Sequence, residues 1–80
     1  MNVVVIGAGY VGLTTGVALA YLGHEVTCVE KDPGKLELLF RGKSPIHEHG
    51  LEELMRLAGK NLRFAERAKE PVGGAEVVMI

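Results

Sequence analysis

An uninterrupted apolar run that leads directly into a glycine-rich turn is the feature that most constrains the fold of this chain. The run covers Val3–Ile6, and the turn that follows has the spacing Gly7-x-Gly9-x-x-Gly12. Consecutive β-branched residues without polar alternation are typical of a parallel strand that is buried on both faces. Because a helical pattern follows the turn, the sequence predicts a strand–turn–helix unit in a parallel α/β sheet.

The three glycines of the turn match three separate requirements of a dinucleotide site. Gly7 permits the tight turn, Gly9 lets a pyrophosphate approach the backbone, and Gly12 lets the helix pack closely on the sheet. The first N–H groups of that helix have no partner within the helix, and the helix dipole adds partial positive charge there. The spacing therefore predicts a diphosphate site, with a purely structural turn as the alternative, since this motif alone is a weak signal.

An acid at the end of the second predicted strand supports the dinucleotide interpretation. Glu30 follows Gly12 by eighteen residues, which is the spacing of the dinucleotide fingerprint. A carboxylate there accepts hydrogen bonds from ribose hydroxyls and repels a 2′-phosphate, so it favours NAD over NADP. The alternative is a surface acid that merely ends a strand. Lys35 could reach the adenosine side of the cofactor or lie in solvent, and Lys31 and Lys35 weaken the preference for NAD because either could attract a phosphate.

The alternation of strand and helix patterns predicts an α/β fold. The expected architecture is a partial Rossmann-like, doubly wound parallel sheet with strand order 3-2-1-4. Strands are predicted at Asn2–Ile6, Val26–Glu30, Asn61–Phe64 and from near Glu76. Helices are predicted at about Tyr10–Leu22, from Pro33 with Asp32 as N-cap, and at about Leu51–Ala58, with a short polar helix or turn at Ala65–Glu70. The apolar face of the second helix is predicted to consist of Leu36, Leu38, Leu39 and Phe40.

Length and composition limit the chain to one small unit. It has 80 residues, a formal net charge of -1 and one cysteine, so it has no internal disulfide and no basic surface for nucleic acid. The apolar run at the N-terminus is too short to span a membrane, and a cytoplasmic location is expected. The last residues resemble a buried strand, whereas a complete dinucleotide domain needs about six strands. Residues 1–80 are therefore expected to be the N-terminal part of such a domain, truncated after strand four, with substrate and C-terminal domains absent.

The remaining reactive side chains are interpreted as structural. Cys28 lies within an apolar strand, where thiols are usually inert packing groups. His47 and His49 have metal-ligand spacing but no further ligand motif, so they are interpreted as loop residues. Tyr10 and Tyr21 show no base partner in the sequence. We therefore predict no catalytic residue and no metal site in this chain.

Several motifs together are more specific than the glycine turn alone. They are Gly7–Leu13 (GAGYVGL), Leu19-Ala20, Gly23–Val26 (GHEV), Asp32–Lys35 (DPGK) and Ser44–Leu54 (SPIHEHGLEEL). Across essentially its whole length, the chain resembles the N-terminus of the UDP-glucose/GDP-mannose dehydrogenase family.

The resemblance implies an NAD-dependent, two-step oxidation of the C6 alcohol of a UDP- or GDP-hexose to a carboxylate, by an enzyme expected to be a homo-oligomer. In the family, a catalytic cysteine captures the intermediate aldehyde as a thiohemiacetal, which is oxidised to a thioester and then hydrolysed. That cysteine and the sugar-nucleotide pocket lie beyond Ile80 in the family, so the chain alone is expected to be inactive. The alternative is a non-enzymatic nucleotide-sensing module built on the same turn.

The resemblance also implies contacts to NAD at the positions of Val11, Glu30 and Lys35. The family usually has aspartate at the position of Glu30, which changes the expected ribose geometry. Taken with the glycine turn, the predicted cofactor-binding residues are Gly7, Gly9, Tyr10, Val11, Gly12, Glu30 and Lys35.

Overall fold

The computed structural model describes residues 1–7, 9–67, 74 and 76–79 as an α/β structure. Its elements in chain order are β1 (Asn2–Ile6), α1 (Tyr10–Tyr21), β2 (Glu25–Val29), α2 (Pro33–Phe40), α3 (Leu51–Ala58), β3 (Leu62–Ala65) and β4 (Val77–Met79). The described strands form one parallel sheet in the order β3-β2-β1-β4. The predicted α/β class with a parallel sheet is confirmed. None of the helices in the described ranges has both the length and the apolar character needed to cross a membrane.

Strand β1 lies inside the sheet, between β2 and β4. The side chains of Val3, Val4 and Val5 are 4%, 2% and 1% exposed, although successive residues point to opposite faces. Both faces of β1 are therefore covered, which is why its sequence has no polar alternation.

Small residues at every fourth position of α1 bring the helix close to the sheet. A Cβ atom added at Gly16 would lie 2.9 Å from Cys28 Sγ and 3.4 Å from Val26 Cγ1. Ala20, one turn further along, is fully buried. The close contact between helix and sheet therefore depends on the absence of a side chain at Gly16.

Replacing Gly16 with alanine is expected to lower the free energy of unfolding by about 1–2 kcal/mol. The clash with Cys28 Sγ is expected to exceed the gain of roughly 1 kcal/mol in helix propensity. Urea unfolding measures the loss, and Cys28→Ala in the same protein should recover much of it by removing the sulfur. Gly16→Ala that is as stable as the unaltered protein would contradict this packing.

A second apolar cluster joins α1 to the helices that follow β2. Its buried members are Leu13, Val17, Leu39, Leu51 and Met55, with Ile46 and Leu54 packed against them. Asp32 caps α2 as predicted, since its Oδ1 accepts hydrogen bonds from the N–H groups of Gly34 and Lys35 at 2.9 and 3.3 Å.

The predicted boundaries of two strands were wrong by one residue. Strand β2 starts at Glu25, whose N–H donates to the Met1 carbonyl at 3.0 Å, and it ends at Val29. Strand β3 is Leu62–Ala65, because Asn61 belongs to a 3-10 turn. Ala65 is therefore a strand residue. Of the other residues in the polar helix predicted for 65–70, residues 68–70 lie outside the described part of the chain.

The predicted apolar face of α2 was too wide. Leu36 and Leu39 are buried, whereas Leu38 and Phe40 are 37% and 64% exposed. Leu38 lies off the stripe that Leu36 and Leu39 share, because residues three or four apart face the same side of a helix. Phe40 is on that stripe, but it ends the helix, and its exposed ring lies edge-on to that of Phe64 with the centroids 6.5 Å apart.

Candidate cofactor site

The turn between β1 and α1 closes tightly on the end of the strand. Gly7 has a φ of 90°, in the region that favours glycine, and its N–H donates to the Val29 carbonyl at 2.7 Å. A Cβ atom at Gly12 would lie 2.5 Å from the Gly7 carbonyl oxygen and 3.2 Å from Val5 Cγ1. The first turn of α1 therefore rests directly on β1, as the roles of Gly7 and Gly12 predict.

Gly9 differs from these two glycines because neither its backbone angles nor the packing of the described residues requires a glycine there. It is the N-cap of α1 with φ -74° and ψ -178°, an extended conformation that any residue adopts. A Cβ atom there would meet no described atom within 4 Å. The N-cap makes no side-chain hydrogen bond to the first turn, so the N–H groups at the start of α1 have no acceptor from that source.

A cleft of about 320 Å³ lies beside this turn. Its lining residues are Val5, Ile6, Gly7, Gly9, Val11, Gly12 and Thr15. The structure thus brings together four of the predicted cofactor residues. The sequence analysis did not predict Thr15 as a lining residue. Its position three residues after Gly12, on the same face of α1, could have indicated it.

Glu30 follows β2 at the same edge of the sheet as the turn, because its neighbour Val29 accepts the Gly7 N–H. The Glu30 carboxylate accepts a hydrogen bond from the Asp32 N–H at 3.0 Å, and the Glu30 N–H donates to the Ala65 carbonyl at 2.8 Å. Lys35 is exposed in the first turn of α2. Neither Glu30 nor Lys35 lines the cleft itself.

The side chain of Tyr10 also lies outside the cleft lining, and it has a partner that the sequence analysis missed. The pKa of the Tyr10 hydroxyl is raised by hydrogen bonding to the Glu48 carboxylate and by the negative charge of that carboxylate. The expectation that Tyr10 has no base partner was therefore wrong. The two residues are distant in sequence, and no local pattern links them.

Cys28 is a buried packing residue, as predicted. Burial raises the pKa of its thiol to about 12, because a thiolate is disfavoured in an apolar environment. His47, Glu48 and His49 line a separate hollow, and the part of the chain that the structure describes contains no group of three or more potential ligands arranged to hold a metal ion.

The Cys28 thiol is expected to resist alkylation in the native protein. With a pKa of about 12, roughly one thiol in 10⁴ is ionised at pH 8, and the sulfur is also shielded from reagent. Iodoacetamide labelling, mapped to the Cys28 peptide by mass spectrometry, should be negligible until denaturant is added. Rapid labelling of the native protein at pH 8 would contradict the burial.

A larger hollow of about 850 Å³ lies elsewhere, between α2, α3 and β3. It shares no lining residue with the cleft beside the glycine turn, and none of the predicted cofactor residues contributes to it. Its greater size therefore does not make it the better candidate, because the backbone donors at the start of α1 are at the smaller cleft.

Comparison with known proteins gives one consistent family. Residues 1–80 match the sequence model described as the UDP-glucose/GDP-mannose dehydrogenase family, NAD binding domain. UDP-glucose 6-dehydrogenase YwqF of Bacillus subtilis is 46% identical over 82 residues, covering 100% of this chain and 19% of the relative. UDP-glucose 6-dehydrogenase of Rhizobium meliloti is 45% identical with the same coverage.

The fold is also shared with solved structures. The structure of GDP-mannose dehydrogenase from Pseudomonas aeruginosa superimposes with a TM-score of 0.89 at 36% identity, over 98% of this chain and 18% of that protein. A UDP-glucose dehydrogenase from Pyrobaculum islandicum gives a TM-score of 0.88 at 38% identity, over 95% and 18% of the two chains. The chain thus spans less than a fifth of the length of these relatives, and it belongs to the UDP-glucose/GDP-mannose dehydrogenase family, whose NAD-binding domain it matches.

Proposed function

We propose that this chain holds the adenosine diphosphate part of NAD in an enzyme that oxidises the C6 alcohol of a UDP- or GDP-hexose to a carboxylate. The observation that carries the proposal is Gly9. Its backbone conformation suits any residue, and no described atom lies within 4 Å of where a Cβ would be. A pyrophosphate that approaches the backbone at this point accounts for the glycine, which the packing of the described residues does not.

The proposed roles follow from the positions of the residues around the turn. The N–H groups at the start of α1, including those of Tyr10 and Val11, bind the pyrophosphate. Gly7 and Gly12 keep that helix start on the end of β1. Glu30 accepts hydrogen bonds from the adenosine ribose.

Lys35 is proposed to lie on the adenosine side of the cofactor, from its position in the first turn of α2. NAD supplies the hydride acceptor when bound. The contribution of this chain is to bind and orient the cofactor, and its Cys28 thiol is too deeply buried to act as a nucleophile.

The share of each relative that this chain matches supports a proposal about the domain to which the chain belongs. Because the chain spans 18–19% of them, we propose that residues 1–80 form the N-terminal part of a dinucleotide-binding domain with doubly wound order 3-2-1-4. Catalytic and sugar-nucleotide-binding residues then belong to segments corresponding to the rest of the relatives. We further propose that the enzyme is cytoplasmic and homo-oligomeric and does not bind nucleic acid; the net charge of -1 agrees with the last point.

Cofactor titration combined with a turnover assay tests this function. Calorimetric titration should give a lower Kd for NAD than for NADP. In the intact enzyme that contains residues 1–80, absorbance at 340 nm should then report two NADH formed per hexose oxidised, with UDP-glucose, GDP-mannose and UDP-N-acetylmannosamine as the substrate panel. NAD binding without turnover of any UDP- or GDP-hexose would favour a nucleotide-sensing module, and absence of NAD binding would overturn the proposal.

A further inference from the structure

Helix α1 contains two adjacent threonines, Thr14 and Thr15, whose hydroxyls have different surroundings. The Thr14 hydroxyl donates to the Tyr10 carbonyl at 2.8 Å and lies within hydrogen-bond distance of the Val11 carbonyl at 3.2 Å. The Thr15 hydroxyl makes no hydrogen bond with any other residue that the structure describes. Successive residues of a helix point roughly 100° apart, so the first hydroxyl is used within the helix and the second is available to a ligand.

The side chain of Thr15 lies in the wall of the cleft beside the glycine turn, where it is half-buried. Side chains of a helix lean towards its N-terminus, so Thr15 covers the surface over the turn that contains Val11 and Gly12. Among the described residues that line the cleft, Thr15 is the one whose side chain carries a polar atom. The other side chains in the lining are Val5, Ile6 and Val11.

The lining of the cleft also indicates which part of NAD it can receive. It includes no residue of β2 or α2, and neither Glu30 nor Lys35, which are proposed to hold the adenosine, contributes to it. Gly9, where the pyrophosphate is proposed to approach the backbone, does line the cleft. A cofactor with its adenosine beside Glu30 and its pyrophosphate at Gly9 therefore continues into the cleft with its other half, which begins with the nicotinamide ribose.

We propose that Thr15 binds the ribose that carries the nicotinamide of NAD, through a hydrogen bond between its hydroxyl and a ribose hydroxyl. The inference rests on the proposed function, because it assumes that NAD occupies the cleft. Both hydroxyls can donate and accept, so the pair needs no charged group. In a mostly apolar cleft, a single polar side chain fixes the orientation of the ligand. Thr15 thereby positions the nicotinamide ring and takes no part in the chemistry.

Titration with three ligands of increasing length tests this contact in the intact enzyme that contains residues 1–80. ADP carries the adenosine and the pyrophosphate, ADP-ribose adds the second ribose, and NAD adds the nicotinamide. Thr15→Val replaces the hydroxyl with a methyl group of similar size. It should raise the Kd for NAD and for ADP-ribose by about three- to tenfold, because one neutral hydrogen bond is lost. The Kd for ADP should not change.

Thr14→Val is the matched control, because it makes the same replacement at the neighbouring residue, whose hydroxyl bonds its own helix. It should leave all three Kd values unchanged. Thr15→Ser keeps a hydroxyl and should bind the three ligands as the unaltered protein does, whereas Thr15→Ala should repeat the losses of Thr15→Val. These two smaller side chains exclude crowding by the valine methyl group as the cause of a loss.

The pattern across ligands and variants decides the outcome. An equal loss of ADP affinity in Thr15→Val, or the same losses in Thr14→Val, overturns the proposal, because the substitution then acts through the helix or the pyrophosphate. A loss for NAD alone also overturns it, since the contact is then with the nicotinamide. Unchanged Kd values in Thr15→Val and Thr15→Ala overturn it and leave the proposed function intact. Absence of NAD binding by the unaltered protein overturns the proposed function and this inference with it.

Discussion

Replacing Gly9 with serine is expected to weaken NAD binding by about ten- to a hundredfold without lowering the stability of the protein. Serine is a better N-cap than glycine, so the start of α1 should gain a side-chain acceptor for its first turn. The new Cβ would meet no described atom within 4 Å, but the serine side chain would occupy the space in which a pyrophosphate approaches the backbone. Stability and cofactor affinity should therefore change in different ways.

Thermal unfolding and calorimetric titration of the same variant measure the two effects. Gly12→Ala is the matched contrast, because a Cβ there would lie 2.5 Å from the Gly7 carbonyl oxygen. That variant should lose both stability, by about 1–3 kcal/mol, and NAD affinity. If Gly9→Ser binds NAD as tightly as the unaltered protein, the space beside Gly9 is not the pyrophosphate site.

The parts of the fold that the sequence predicted correctly are those specified by local patterns. The bounds of β1 follow from its run of β-branched residues, and the start of α2 follows from Asp32 and Pro33. The errors lie where non-local contacts decide. Strand β3 extends to Ala65 because that carbonyl accepts the Glu30 N–H from the neighbouring strand, a contact that no property of Ala65 itself reveals.

The same distinction applies to the candidate site. The spacing of Gly7, Gly9 and Gly12 predicts the turn because each glycine acts within one short segment. The effect of Glu48 on the pKa of the Tyr10 hydroxyl depends on residues 41–50, which join α2 to α3, folding back towards α1, and no local pattern in the sequence signals this. Sequence analysis therefore predicted the glycine turn but not the neighbour of the Tyr10 side chain.

Removing the carboxylate of Glu30 is the second change for which we expect a large effect. Glu30→Ala should weaken NAD binding by about 1–3 kcal/mol, since a charged acceptor for the ribose hydroxyls is lost. The affinity for NADP should fall less or rise, because the repulsion of the 2′-phosphate disappears with the charge. Parallel titrations with NAD and NADP therefore give the ratio that is most sensitive to Glu30.

Two control variants separate binding of the ribose from support of the local backbone. Glu30→Gln keeps an oxygen that can accept the Asp32 N–H, yet it removes the charge, so it should resemble Glu30→Ala in its NAD-to-NADP ratio. Glu66→Ala removes the acid that follows β3, the next strand outward, and should leave the ratio unchanged. A ratio that is the same in all three variants and the unaltered protein would mean that Glu30 serves only the turn into α2, and selection between the two cofactors would then have to come from another part of the site.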